Sequence, residues 1–295
     1  MATGLPPWLK VKLPTGPVVA RLKDASRSRG LSTVCEEARC PNLAECWGGG
    51  TATFMVMGDT CTRGCRFCSV ATAAKPPAPD LEEPKKLALT LKEMSVDYAV
   101  LTTVCRDDLP DQGAGHLAEC IREIRKVNPS LKLEMLLQDF RADKGLLETV
   151  LDAGPDVVAH NVETVERLTG TVRDAKAGYR QSLDVLAHAK EYLPKTPTKT
   201  SLMLGLGETE EELIQAFKDI RSVGVDILTL GQYLRPSGSR HHLMVERFVH
   251  PDDFKRYGEI AKRHGFLYVA SGPFVRSSYR AAELFMKGHL ETHAP

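Results

Sequence analysis

The sequence predicts an α/β fold built on a largely parallel sheet, and three observations lead there. Seven short apolar runs rich in β-branched residues are spaced along the chain, most of them separated by stretches whose apolar residues recur at helical intervals. Such alternation of strands and helices is the pattern of a parallel sheet covered by helices. Polar residues gather where the runs end, at Thr102-Thr103, Asn161 to Glu163, Gly207-Glu208 and Gln232-Tyr233, the strand termini at which barrel active sites are built. The length, 295 residues, suits one large core with an appendage. Pattern alone does not separate a barrel from a doubly wound sheet.

Taken in order, residues 1–34 carry six basic residues and the single acid Asp24. They lack the apolar run of a secretory signal, and early prolines and Trp8 break a continuous amphipathic presequence. Thr33 with Glu36 and Asn42 with Glu45 are spaced as capping boxes, with Pro41 ending the first short helix. Thr53 to Met57 reads as a strand ending at Gly58, followed by a loop through Cys68. Strands are then expected at 97–102, 131–137, 156–160, 200–204, 227–230 and 267–270. Helices are expected at 81–94, 115–126, 145–153, 181–192, 210–223 and 251–264, with Thr209 and Glu212 framing a capping box.

Composition removes several function classes. Hydrophobic residues at 42% and charged residues at 26% exclude disorder and collagen. With 39 Lys and Arg against 38 Asp and Glu, no global field favours nucleic acid or a membrane surface. No window approaches the roughly 18 apolar residues of a membrane helix.

Cysteine placement carries the chemistry. Of eight cysteines, six lie at 35, 40, 46, 61, 65 and 68, while the last 175 residues hold none. In a long chain without a secretory signal this favours metal binding in a reducing compartment over disulfides. The six form two triplets, Cys35-x4-Cys40-x5-Cys46 and Cys61-x3-Cys65-x2-Cys68. A structural zinc site takes four ligands and neither triplet supplies a fourth, whereas thiolates in threes suit a cubane iron–sulfur cluster with one iron left open. Gly58 and Gly64 permit a tight loop, and Phe67 can shield a cluster from water. Cys120 reads as a small buried hydrophobe, and Cys105 as a non-ligand.

The segment Asp59-Thr60-Cys61-Thr62-Arg63-Gly64-Cys65-Arg66-Phe67-Cys68 resembles the signature of radical S-adenosylmethionine enzymes. In these, three Cys hold a 4Fe-4S cluster whose fourth iron chelates S-adenosylmethionine, and an electron from the cluster yields a 5′-deoxyadenosyl radical. The Cys35 triplet narrows the resemblance to lipoyl synthases, which add an auxiliary cluster. The match runs through Leu5 to Lys10, Arg106 to Asp111, His160 to Val165, Lys199 to Glu208, Leu230 to Tyr233 and Ala270 to Pro273. At the C-terminal end, Arg276-Ser277-Ser278-Tyr279 resembles the motif whose second Ser ligates the auxiliary cluster, which maps onto Ser278. A weak oxygen ligand leaves readily, in keeping with a cluster consumed as sulfur donor. A capping role for Ser277 and Ser278 is compatible with this.

The resemblance implies a partial (β/α)6 TIM-like barrel over residues 51–275, an N-terminal cluster-binding extension over 1–50 and a C-terminal segment over 276–295. It implies two 4Fe-4S clusters, on Cys35, Cys40, Cys46 and Ser278 and on Cys61, Cys65 and Cys68. It implies S-adenosylmethionine bound near Phe67, Thr102, Asn161, Glu163, Glu208 and Gln232, the last residues also serving as candidate helix-cap or loop-end groups. Its activity is the insertion of sulfur at carbons 6 and 8 of an octanoyl-lysine. The implied partners are an octanoylated lipoyl carrier domain or H protein, an electron donor such as flavodoxin or ferredoxin, and an iron–sulfur cluster carrier. No nucleic acid or membrane is expected. The compartment is the cytoplasm, or a mitochondrial or plastid matrix if a presequence has been removed. Arg173, Lys176 and Arg180 either face an acidic carrier or form a solvated charged loop. Departures from the family are Gln112 in place of Gly, Gln138 in place of Pro, and two extra residues around His241-His242, a pair expected in solvent. Two rival readings remain at this point, an electron carrier whose clusters persist and another radical enzyme with an auxiliary cluster.

Overall fold

The computed structural model describes residues 5–9, 29–33 and 51–278. Cys35, Cys40 and Cys46 lie outside them. In chain order the described residues form β1 (Ser32–Thr33), β2 (Thr51–Val56), β3 (Thr60–Cys61), β4 (Ala71–Thr72), α1 (Glu83–Met94), β5 (Tyr98–Thr103), α2 (Ala114–Val127) and β6 (Lys132–Leu136). They continue with α3 (Lys144–Leu151), β7 (Val157–Ala159), α4 (Glu166–Val172), α5 (Tyr179–Tyr192), β8 (Thr198–Leu204), α6 (Glu210–Ser222), β9 (Ile227–Gln232), α7 (Pro251–Arg263) and β10 (Tyr268–Gly272).

The main sheet runs β1-β2-β5-β6-β7-β8-β9-β10, with β1 antiparallel to β2 and each later neighbour parallel. Each of the six strands from β2 to β9 in this sheet after β1 is followed by helix, which is the expected partial (β/α)6 barrel, and β10 adds a seventh parallel strand at its far edge. Among the described residues the sheet is open, and its strands follow chain order from one edge to the other.

Alternation along the strands sorts side chains to two faces. On β5, Ala99 and Leu101 join an outer core with α1, α2 and α3, whereas Tyr98 and Val100 point into the barrel with Val157, Ile227 and Ala270. A second outer core packs β8 and β9 against α5, α6 and α7 around Phe217 and Phe254. Fully burying each such side chain contributes about 1.5–3 kcal/mol. Inside the barrel, Lys199 on β8 donates to both oxygens of Glu134 on β6 at 2.7 and 3.0 Å, and the Tyr98 hydroxyl donates to the same carboxylate at 2.8 Å. A buried charge pair is tolerated when its hydrogen bonds are filled in this way.

The capping box expected at Thr209 and Glu212 is present at the start of α6. The sequence reading had no counterpart for α4, whose seven residues, Glu-Arg-Leu-Thr-Gly-Thr-Val, are too few to display a period.

Candidate functional site

β2 delivers the chain to the cysteine loop through Met57 and Gly58, both at positive φ, 68° and 85°. Three neighbouring segments then grip that loop. Beyond β5, the Cys105 main-chain N–H donates to the Cys61 sulfur at 3.3 Å, and Thr62 donates from N and Oγ1 to the Cys105 carbonyl, each at 2.9 Å. Beyond α4, the Asp174 N–H donates to the Cys65 sulfur at 3.4 Å, its carboxylate accepts from Gly64 N at 2.9 Å, and Arg66 N donates to the Val172 carbonyl at 2.9 Å. Beyond β9, Leu243 N donates to the Arg66 carbonyl at 3.2 Å and Arg66 Nε to the His241 carbonyl at 3.1 Å.

His242 completes this last contact. Its Nε2–H donates to the Cys68 carbonyl at 3.0 Å while Nδ1 accepts from the Ser237 hydroxyl at 2.8 Å. The loop with two extra residues is therefore a strap on the cysteine loop, and His242 is not simply solvated. His242→Ala removes about one net hydrogen bond, so folding stability is expected to fall by about 1 kcal/mol, read by urea unfolding.

The charge centre of the loop is Arg63, whose side chain is 3% exposed. Its guanidinium forks onto Asp107, with Nε and Nη2 donating at 3.0 and 2.9 Å, and onto Asp139, with Nη1 and Nη2 donating at 2.6 and 2.8 Å. Asp107 also accepts from Thr62, Arg141 and Lys176. Bidentate pairing of this kind fixes both distance and orientation. It ties the cysteine loop to the ends of β5 and β6.

Cys61, Cys65 and Cys68 open onto one cavity of about 360 Å³ at the C-terminal ends of the strands. A hydrogen bond from the Cys105 side chain brings the Cys61 thiol down to about 6, whereas burial pushes those of Cys65 and Cys68 up to about 11. Phe67, Thr102, Asn161, Glu163, Ser277 and Ser278 line the same cavity. Glu163 sits at φ 71°, a costly conformation for a non-glycine residue. It is held there from β8, its N–H donating to the Ser201 carbonyl at 3.0 Å and its carbonyl accepting from Met203 N at 2.8 Å. Asn161 Nδ2 donates to its carboxylate at 3.1 Å, and burial pushes that carboxyl upward. Below them His160 is neutral: Nδ1–H donates to the Leu137 carbonyl at 2.9 Å, and Nε2 accepts from Ser182 Oγ at 2.8 Å. Burial lowers its pKa to about 4.

Ser278 reaches the cavity because Gly231 has no side chain. A Cβ there would lie 2.1 Å from the Val275 carbonyl oxygen, so the segment after β10 can lie directly on β9. Gly231→Ala is expected to displace that segment and to destabilise the fold by about 1–3 kcal/mol, the cost of overpacking, read by urea unfolding.

The Radical SAM superfamily model matches residues 55–220, and the model for the N-terminal domain of lipoyl synthase of that family matches residues 2–40. A lipoyl synthase of Myxococcus xanthus (strain DK1622) is 59% identical over 289 residues, covering 98% of this chain and 96% of the relative. The chain belongs to the lipoyl synthase family. A mitochondrial lipoyl synthase of Culex quinquefasciatus is 56% identical, with 98% of this chain and 77% of the relative covered. The X-ray structure of the FeFe-hydrogenase maturase HydG from Carboxydothermus hydrogenoformans shares the fold, with a TM-score of 0.55 at 12% identity over 92% of this chain and 77% of that one.

In this lipoyl synthase family member, Glu208 and Gln232 stay away from the cavity. The Glu208 carboxylate accepts from Gly205 N and Leu206 N at 2.7 and 2.9 Å. Gln232 is buried, donating to the Leu204, Tyr233 and Arg247 carbonyls and accepting from Val249 N. Both side chains are engaged in the strand-end turns, and neither is among the residues that line the cavity. The basic stretch is likewise engaged: Arg173 is buried on Ser182, Lys176 reaches Asp107 and Arg180 pairs with Glu166. Sequence reasoning assigned no role to Arg63, Asp107, Asp139 or His160, and it set Arg173 on a basic surface stretch where the structure buries it. A basic residue between two candidate ligands, with Arg106-Asp107-Asp108 at the next strand end, was the available signal for the first pair.

Proposed function

We infer that the chain inserts two sulfur atoms at carbons 6 and 8 of an octanoyl chain amide-linked to a lysine of a carrier protein, the lipoyl synthase reaction. The observation that carries the reading is that Cys61, Cys65 and Cys68 share one cavity with Ser278. The residues fit the expected cluster, since three thiols of one loop converge on that cavity with main-chain N–H groups directed at two of the sulfurs, contacts that favour thiolates and tune a bound cluster.

In this reading Cys61, Cys65 and Cys68 hold one 4Fe-4S cluster, which with S-adenosylmethionine supplies a 5′-deoxyadenosyl radical able to take hydrogen from an unactivated carbon. Asn161 and Glu163 contact S-adenosylmethionine, offering an amide and an anion inside a buried wall, while Thr102 and Phe67 bound its pocket. Cys35, Cys40, Cys46 and Ser278 would hold the auxiliary cluster, which would supply the sulfur, with the Ser278 oxygen as its weakest ligand. Close walls matter here, because a carbon-centred radical reacts with whatever hydrogen lies nearest. Residues 1–50, 51–275 and 276–295 accordingly act as auxiliary-cluster extension, radical barrel and closing segment.

The substrate arrives on an octanoylated lipoyl carrier domain or H protein docking at the cavity mouth. A flavodoxin or ferredoxin delivers electrons, and an iron–sulfur carrier rebuilds the spent cluster. Free thiols in this number belong in a reducing compartment, the cytoplasm or an organelle matrix; among the described residues no helix is long and apolar enough to cross a membrane.

The test is anaerobic reconstitution with iron and sulfide, then reductant, S-adenosylmethionine and an octanoyl-lysine peptide. Two clusters per chain and a peptide that gains two sulfurs and loses two hydrogens, as the disulfide, are expected. Ser278→Ala should still cleave the cofactor while sulfur insertion falls at least about 100-fold, about 2.7 kcal/mol. Two clusters with no cofactor cleavage would instead leave an electron carrier, and cleavage with a different product another radical enzyme.

A further inference from the structure

Away from the cysteine loop, three metal-ligating side chains of different chemistry meet between α1 and α2. Glu83 lies in the first turn of α1, and His116 and Cys120 lie one turn apart on α2. One ligand atom from each falls within 4.8 Å of the others. The i, i+4 spacing puts the imidazole and the thiol on one helix face, the arrangement by which helices commonly present paired ligands. None of the three lines the cavity described above.

We propose that Glu83, His116 and Cys120 form a binding site for a divalent zinc-like cation, separate from both cluster sites, that clamps α1 to α2. A carboxylate, an imidazole and a thiolate are three of the donor types zinc takes, at about 2.0–2.3 Å, so its donors lie about 3.3–3.6 Å apart. The contacts already present are consistent with a small closure. His116 Nε2 is 2.6 Å from Glu83 Oε2, a separation that opens as an ion enters between them.

Charge favours the same conclusion. Cys120 is 0% exposed, and the Glu83 and His116 side chains are only 10% and 11% exposed. Burial, with the nearby Glu83 carboxylate, holds the Cys120 thiol protonated in the metal-free chain. Binding a divalent ion releases that one proton to solvent and shifts the His116 proton to Nδ1. The result is a carboxylate, a thiolate and a 2+ ion with no net charge, which a buried location accepts far better than a lone anion. A water takes the fourth position, so the site holds an exchangeable ion rather than the closed four-ligand zinc of a purely structural centre.

The site has a route to the rest of the molecule. Glu83 Oε2 also accepts from the Met57 main-chain N–H at 2.9 Å, at the point where β2 hands over to the cysteine loop. Zinc on Glu83 therefore stiffens the root of that loop without touching its ligands.

The experiment uses the full chain with its clusters loaded, so that the cluster cysteines are occupied. Loosely held metal is stripped with a mild chelator, Zn2+ is added, and the protein is dialysed and analysed for zinc and iron. One zinc per chain with iron unchanged is expected, together with a higher melting temperature. Co2+ in its place should give tetrahedral visible bands and a thiolate charge-transfer band. Cys120→Ala, a small swap that the packed α2 face tolerates, and His116→Gln should each weaken retention about 100-fold or more at unchanged iron content. Absence of zinc beyond trace in the wild type, or equal zinc in Cys120→Ala, overturns the proposal and leaves Glu83 and His116 as a hydrogen-bonded pair.

Discussion

Arg63→Met is expected to cost about 3–5 kcal/mol of folding stability, because it strands the carboxylates of Asp107 and Asp139 in a buried place. Asp107 keeps Arg141 and Lys176 as partners, so most of the loss falls on Asp139, whose carboxylate retains the Arg141 main-chain N–H. The pH dependence identifies the cause. Both carboxyls are held below the usual range in the native chain, each against burial, by the hydrogen bonds and charge of Arg63. Depressed carboxyls stabilise the fold above their unfolded values and lose that contribution as pH falls through the folded ones. The gap between wild type and variant should therefore be full near neutrality and narrow below about pH 4. Urea unfolding of both proteins at neutral and acid pH measures it; a gap independent of pH would mean that Arg63 acts through packing alone.

Cys65→Ala is expected to abolish cofactor cleavage, a fall of at least about 1,000-fold or about 4 kcal/mol, while cluster-bound iron drops by half. The Cys65 sulfur is the member of the triplet anchored by the α4–α5 connection through Asp174 N. The neighbouring Cys105 lines the same cavity, but its side chain is hydrogen-bonded to Cys61 rather than to Cys65. Iron analysis, the spin signal of the reduced protein and the yield of 5′-deoxyadenosine give independent readings. Full cleavage in this variant would remove Cys65 from the cluster.

Elements with a repeating pattern were readable from the chain. The strand at 198–204 and the helices at 83–94 and 210–222 follow directly from periodicity and end signals, because apolar spacing and caps act locally. The cysteine spacing marked out the loop after β2 for the same reason. What the chain order concealed is pairing at a distance: Arg63 with Asp139, 76 positions apart, or Cys68 with His242, 174 apart. Glu208 and Gln232 show a second reason. Polar groups at strand ends serve the backbone as readily as a ligand, and only the direction of the side chain distinguishes the two. The short α4 escaped notice although it places Arg173 and Asp174, since seven residues hold too little pattern to read.

The departures at Gln112 and Gln138 turn out to be one feature. Gln112 keeps the left-handed backbone that a glycine would adopt freely, at φ 49°, and its side chain donates to the Phe140 carbonyl at 3.2 Å while its own carbonyl accepts from Gln138 Nε2 at 2.5 Å. Each glutamine thus offsets the awkwardness of the other. The two positions answer differently to substitution: glycine at 112 keeps the main-chain carbonyl that Gln138 uses and loses only the bond to Phe140, whereas proline at 138 has no side-chain amide and leaves that carbonyl without its Nε2 donor. The dependence therefore runs one way, from the side chain at 138 to the backbone at 112, and a graft at 112 is the milder of the two.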